Sequence, residues 1–116
     1  MRLRNAAVAL IGGLALVISV SQPSSAATGN FTYKYVAGDG TTKEGVFTDP
    51  NGGECFDIPE AADPESTQPA HTPVNRTTAT ATVFADAGCE GDFVVLKELT
   101  GKGSENTKFR SASFSS

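Results

Sequence analysis

Aromatic and polar residues alternate from Phe31 to Tyr35, with Thr32 and Lys34 between the rings. A period of two gives a strand one apolar and one wet face. Gly38-Asp39-Gly40 then supplies residues that tolerate positive φ, and residues 43–48, with Val46 and Phe47, return as the second arm of a β-hairpin. Asp49-Pro50-Asn51-Gly52-Gly53 is a dense turn signal ahead of a short strand over residues 54–58. Residues 74–78 lead into a central strand whose Ala79, Ala81 and Val83 share one face, predicted to meet the core, while Thr78, Thr80 and Thr82 share the other. Ala85 to Gly88 turns the chain, Cys89-Glu90-Gly91 follows, and residues 93–99 form a mostly apolar strand with Lys97 and Glu98 at its wet end. Residues 100–107 read as a loop. Residues 108–114 close the chain as a strand in which Phe109, Ser111 and Ser113 oppose Arg110, Ala112 and Phe114. No segment repeats at helical spacing, so six short strands separated by turns predict an all-β sandwich or open barrel.

The alternation stops at residues 59–73. Prolines 59, 64, 69 and 73, acidic residues and no aromatic side chain predict an extended, partly polyproline-like loop. A single turn of helix over residues 60–66 is compatible with the pattern. So long a loop in so small a domain is commonly either functional or simply mobile, and Pro59, Glu60, Asp63, Pro64, Glu65, Pro69, His71 and Pro73 are the candidate partner-contact residues.

Residues 1–27 have the layout of a secretory signal: Arg2 and Arg4, an apolar run over residues 6–20, then small polar residues up to Ala26 and Ala27. About 15 apolar residues are too few for a bilayer core that needs about 20, so this helical leader is expected to be removed by cleavage after Ala26 or Ala27, leaving a single domain over residues 28–116. The arginines are not adjacent, and no cysteine sits at the cleavage site for lipid attachment. Removal takes Arg2 and Arg4 away and leaves seven basic residues against 13 acidic ones, a net charge of −6. That sign disfavours nucleic acid and anionic lipid as partners. The expected product is a monomer in the extracellular medium that meets, at most, another extracellular protein.

Cys55 and Cys89 are the chain's two cysteines. Export to an oxidising compartment makes one disulfide the economical assignment. The alternatives are a metal site or a reactive thiol, but two cysteines without a CxxC and one distant histidine do not make a zinc set.

Catalytic chemistry is thinly represented. His71, the one histidine, sits between prolines in the loop and is expected to be solvent-exposed, with no serine and carboxylate held to meet it. Asp49, Asn51 and Glu54 can offer oxygens to a weak calcium site or simply build a turn. Asp57 with Glu60, or Asp63 with Glu65, lacks the fixed spacing that acid–base work requires. Asn30-Phe31-Thr32 and Asn75-Arg76-Thr77 match the glycosylation acceptor pattern. The expectation is a non-enzymatic protein with no cofactor and no metal.

Residues 84–91, Phe-Ala-Asp-Ala-Gly-Cys-Glu-Gly, followed by the strand at 93–99 and the serine-bearing segment Phe109-Arg110-Ser111-Ala112-Ser113-Phe114, resemble a βγ-crystallin Greek key. The resemblance implies a folded hairpin in which Gly91 takes positive φ, with Gly88 in the same turn. Residues 31–78 would form a degenerate partner motif. The whole is also similar to small exported bacterial proteins with one disulfide and, more distantly, to a metalloproteinase inhibitor and a killer-toxin-like protein of the same sandwich. Where calcium-binding members carry paired Asn/Asp, this chain has Lys108 and Phe109, which cannot supply oxygen ligands to a hard cation. The resemblance therefore implies a small Greek-key β-sandwich acting as a binding or protective module, or alternatively a protease inhibitor or toxin-like effector that uses loop 59–73.

Overall fold

A computed structural model describes residues 26–115; the leader expected over residues 1–27 lies, but for its last two residues, outside the described residues. Seven strands follow in order: β1 Gly29–Val36, β2 Thr42–Thr48, β3 Cys55–Asp57, β4 His71–Thr77, β5 Thr80–Asp86, β6 Glu90–Leu96 and β7 Ser111–Ser115. They build two antiparallel sheets, β2-β1-β4 and β3-β7-β5-β6, with no helix among the described residues. The two halves of the chain run alike. A hairpin (β1–β2, then β5–β6) is followed by a segment in the opposite sheet, and a last strand returns beside the hairpin's first arm. In the second half that crossing segment is residues 101–104, which bond the outer edge of β4 through Asn75 N–H to Gly101 O (2.7 Å), Gly103 N–H to Pro73 O (2.8 Å) and Thr72 N–H to Ser104 O (3.1 Å).

Seven strands replace the predicted six because residues 74–84 are not one strand. The chain leaves β4 at Thr77, turns at Thr78 and Ala79, and enters β5 in the other sheet. Asn75 makes the turn. Its side-chain amide donates to the carbonyls of Ala79 (2.9 Å), Leu96 (3.1 Å) and Lys97 (3.1 Å), and its Oδ1 accepts from the Thr77 amide (3.1 Å) and hydroxyl (2.7 Å). Asn75 and Thr77 are both fully buried, and Thr77 Oγ1 in turn accepts from Ala79 N–H. An asparagine held this way is closed to glycan attachment, which removes one of the two acceptor matches.

The core lies between the sheets. Phe31 stands at its centre, with ring centroids of Phe114 at 5.4 Å, Phe109 at 6.2 Å and Phe47 at 6.3 Å, joined by Tyr33. Ala81 and Val83 of β5 are buried on the predicted face, and Ala79, in the turn before β5, is buried with them. They share one buried cluster with the rings, small side chains beside large ones, as dense native packing requires. Phe109 and Phe114 were expected on opposite faces, yet both are buried. The strand begins only at Ser111, and Phe109 precedes it in a bridge with Ala70, N–H to O at 2.9 Å in both directions, so strict alternation does not extend back to it. Likewise β6 starts at Glu90 and ends at Leu96 rather than spanning residues 93–99.

Cys55 and Cys89 form the disulfide, with Cα atoms 5.9 Å apart. It ties β3 to the β5–β6 turn across β7, so both ends lie in the four-stranded sheet and the bond does not clasp one sheet to the other. Inter-sheet cohesion belongs to the aromatic core and to Asn75.

Truncating Asn75→Ala removes a buried partner from three carbonyls and from the Thr77 amide and hydroxyl; Ala79 O keeps Thr77 Oγ1 and Lys97 O keeps the Gly101 N–H, but the network loses its centre, and unmade buried hydrogen bonds are costly. Denaturant unfolding is expected to show a loss of about 2–4 kcal/mol, with Asn75→Asp no better, because a carboxylate would face the same carbonyl oxygens. Cys89→Ser, by releasing a sequence separation of 34 residues, is expected to cost about 3–4 kcal/mol in the chain-entropy account and to lower the melting temperature accordingly.

Candidate functional site

Two surface regions stand out. One is the segment after β3; the other is the β5–β6 hairpin.

The segment expected to be an open extended loop is instead folded and fastened. Asp63 organises it: its carboxylate accepts from Glu65 N–H (2.9 Å) and Ser66 Oγ–H (2.9 Å), and its carbonyl accepts from Thr67 N–H (3.0 Å) and hydroxyl (2.6 Å). This is an Asx turn, the local competition that aspartate offers to regular structure. Arg110 reaches across from the start of β7 to donate to Ala61 O (2.9 Å) and Thr67 Oγ1 (3.3 Å). Ala61 is fully buried, and Ile58 and Ala70 anchor the two ends in the core. Glu60, expected on a solvated charge run, accepts from the Tyr33 hydroxyl at 2.8 Å. Burial above all, then the bond to Glu60 and its negative charge, pushes the Tyr33 phenol far above its ordinary value of 10.0.

Of the predicted contact residues, Pro59, Asp63, Pro64 and Glu65 are exposed. Glu60 and Pro69 are half-buried, and Pro73 is buried inside β4. His71 belongs to β4, not to a loop: it lies opposite Lys34, is half-buried, and its Nδ1 is 2.8 Å from Thr72 Oγ1. The proline spacing suggested a longer loop than forms, because Pro73, lacking an N–H, is tolerated where the sheet needs only its carbonyl. Between this segment and the β1–β2 turn runs a shallow groove of about 460 Å³ lined by Tyr35, Val36, Gly38, Glu60, Thr67 and Gln68.

The hairpin is as specific in its geometry. Cys89 (φ 58) and Gly88 (φ 74) make the turn, and Gly91 (φ 83) follows, as expected of it. Phe84 pairs with Phe93 and Asp86 with Glu90, so Gly91 and Asp92 together oppose Ala85 in a bulge. A Cβ on Gly91 would sit 2.6 Å from Asp86 Oδ2. Ser111 of β7 locks the turn from beside it, accepting from Cys89 N–H (2.8 Å) and donating to Asp86 O (2.5 Å). Asp57 Oδ1 accepts from Gly88 N–H at 2.8 Å.

The carboxylates weighed as acid–base pairs are thus committed elsewhere, Asp57 to the turn and Glu60 to Tyr33. Asp49 Oδ1 accepts from Gly29 N–H at 2.7 Å and Asn51 Nδ2 donates to Glu54 Oε2 at 3.3 Å, so that stretch builds a turn. No group of three or more metal-type side chains gathers among the described residues.

Beyond the hairpin, sequence reasoning missed the exposure of β6. Phe93 is 61% exposed and Val95 57%. An unbroken apolar run reads as a buried strand; only the sheet order, which leaves β6 at an edge, reveals it.

Comparison with protein-family models, curated proteins and solved structures gives no match.

The bonds from Glu65 N–H and, secondarily, Ser66 Oγ–H hold the Asp63 carboxyl below its ordinary value of 3.8. A depressed carboxyl stabilises the folded turn above its unfolded value and loses that contribution as pH falls through the folded one. The Glu65 amide resonance is therefore expected to titrate with a midpoint below 3.8 while core resonances hold, and Asp63→Ala should abolish that titration and speed proteolysis between residues 63 and 67.

Proposed function

We propose that this chain is a secreted, non-enzymatic binding module built from two crystallin-type Greek keys. The observation that carries the reading is the matched course of the two halves, each a hairpin, a segment in the opposite sheet, and a return strand. The Gly91 bulge locked by Ser111 supports the crystallin-type assignment, since a folded hairpin held by a serine of the closing strand is what the resemblance implies. Export accounts for the disulfide in so small a domain. The non-enzymatic reading draws on the commitment of Asp57, Glu60 and Asp63 to structural bonds.

The fastening of residues 59–70 favours a second reading, a protease inhibitor or toxin-like effector, because a pre-organised surface segment loses little entropy on docking. In that case the docking element is the turn at Asp63 rather than an extended strand.

Ala27 is buried in the core and its N–H donates to Pro50 O at 2.9 Å, so cleavage after Ala26 keeps the core whole. Protein recovered from the medium of an exporting host is expected, by mass spectrometry, to begin at Ala27 and to contain no free thiol. Immobilised, it should retain an extracellular protein in stoichiometric amount without altering it. Retention in the cell with the leader uncleaved would overturn the reading, and one-to-one inhibition of a protease, lost in Asp63→Ala, would establish the alternative.

A further inference from the structure

The four-stranded sheet ends on a strand that breaks the usual rules for an edge. Natural edges are short, charged or bulged away, because an unpaired row of N–H and C=O groups invites another chain. Among the described residues β6 has its one strand neighbour in β5, and after the bulge at Gly91 it runs regularly through Phe93, Val94, Val95 and Leu96. Register fixes the faces. Phe93 lies opposite Phe84 and Val95 opposite Thr82, on the side of the sheet away from the core, whereas Val94 lies opposite the buried Val83. Val94 is nonetheless 47% exposed, so the first sheet does not cover this edge. Apolar side chains are therefore bare on both faces of one strand. The outer patch continues inward through Phe84, whose ring centroid is 6.0 Å from that of Phe93.

We infer that β6 is a docking edge for an extended, cationic segment of another polypeptide, which adds antiparallel to the sheet as a fifth strand. Backbone pairing supplies the register, and apolar side chains on the incoming strand cover Phe93, Val94 and Val95. Charge selects the occupant. Glu90, Asp92 and Glu98 flank the apolar run, against Lys97 alone. A second copy of this chain brings the same excess of acid to the seam, on a mature body of net charge −6, and like charges across a strand pair are destabilising. A segment with lysine or arginine beside its valines or leucines meets the opposite condition. The Cys55–Cys89 bridge and Ser111 hold the hairpin that presents the strand, so the edge is preformed and little ordering is needed on binding.

This inference rests on the binding-module reading. Its test titrates the disulfide-bonded protein with an N-acetylated nine-residue peptide of alternating valine and lysine, read by amide resonances. Saturable shifts centred on residues 92–96 are expected, weakening as salt screens the attraction. Val95→Lys, or Phe93→Ser should the first disturb the fold, is expected to weaken binding about tenfold, and N-methylation of alternate peptide amides to abolish it. Equal binding of a valine–glutamate peptide, shifts centred elsewhere, or undiminished binding of the N-methylated peptide would overturn the assignment. So would shifts at residues 92–96 on raising the protein concentration alone, which would place a second copy there. A natural partner retained equally by wild type and Val95→Lys would overturn the strand assignment while leaving the binding module standing; failure to retain any partner would overturn the binding module itself.

Discussion

One buried amide joins the two sheets. Asn75 leaves β4 in the first sheet and donates to the carbonyls of Leu96 and Lys97 at the end of β6 in the second, while its oxygen and its bond to Ala79 shape the turn between them. In a low-dielectric interior such a network specifies geometry more sharply than apolar contact does, since a shifted partner leaves a desolvated group unpaired. The place where the chain changes sheets, the start of β5 and the point at which β6 stops are all set relative to this side chain. The aromatic cluster around Phe31 supplies bulk cohesion, and Asn75 supplies its registration.

The disulfide acts at a different level. By spanning β7 within one sheet it restrains β3, which is only three residues long, and the hairpin turn at Cys89. A strand so short pairs through few bonds, and closing a long loop offsets that by narrowing the unfolded ensemble. Ser111 and Asp57 reinforce the same turn through hydrogen bonds. The result is a hairpin stiff at its tip and bare along its outer edge.

The two surface regions contrast in how their polar groups are spent. Around Asp63 nearly every carboxylate and hydroxyl is engaged locally, and Arg110 closes the segment onto the body. Along β6 the backbone's outer edge has no neighbouring strand among the described residues, and the side chains of Phe93, Val94 and Val95 are apolar and exposed. A surface with internally satisfied polar groups needs nothing from a partner, whereas an exposed apolar edge gains from one. The folded turn at Asp63 is thus closed on itself, while β6 keeps apolar surface in contact with solvent.

How much was legible from the residues follows the range of the forces involved. Alternation at Phe31, Tyr33 and Tyr35, the small apolar face of Ala79, Ala81 and Val83, the turn glycines and the cysteine pair are local or binary signals, and each of these has the place expected of it in an all-β body. The sequence by itself determined the strand class, the core face and the positive-φ hairpin, because side-chain period and backbone sterics act within a few residues. Tertiary structure alone decided that residues 74–84 divide between two sheets, that the proline-rich segment is fastened by an arginine 43 and 49 residues away from its partners there, and that Phe93 to Val95 lie at an edge. Those outcomes depend on which strand neighbours which, and that is fixed by contacts between residues remote in the chain, such as Asn75 with Leu96, for which no local pattern exists.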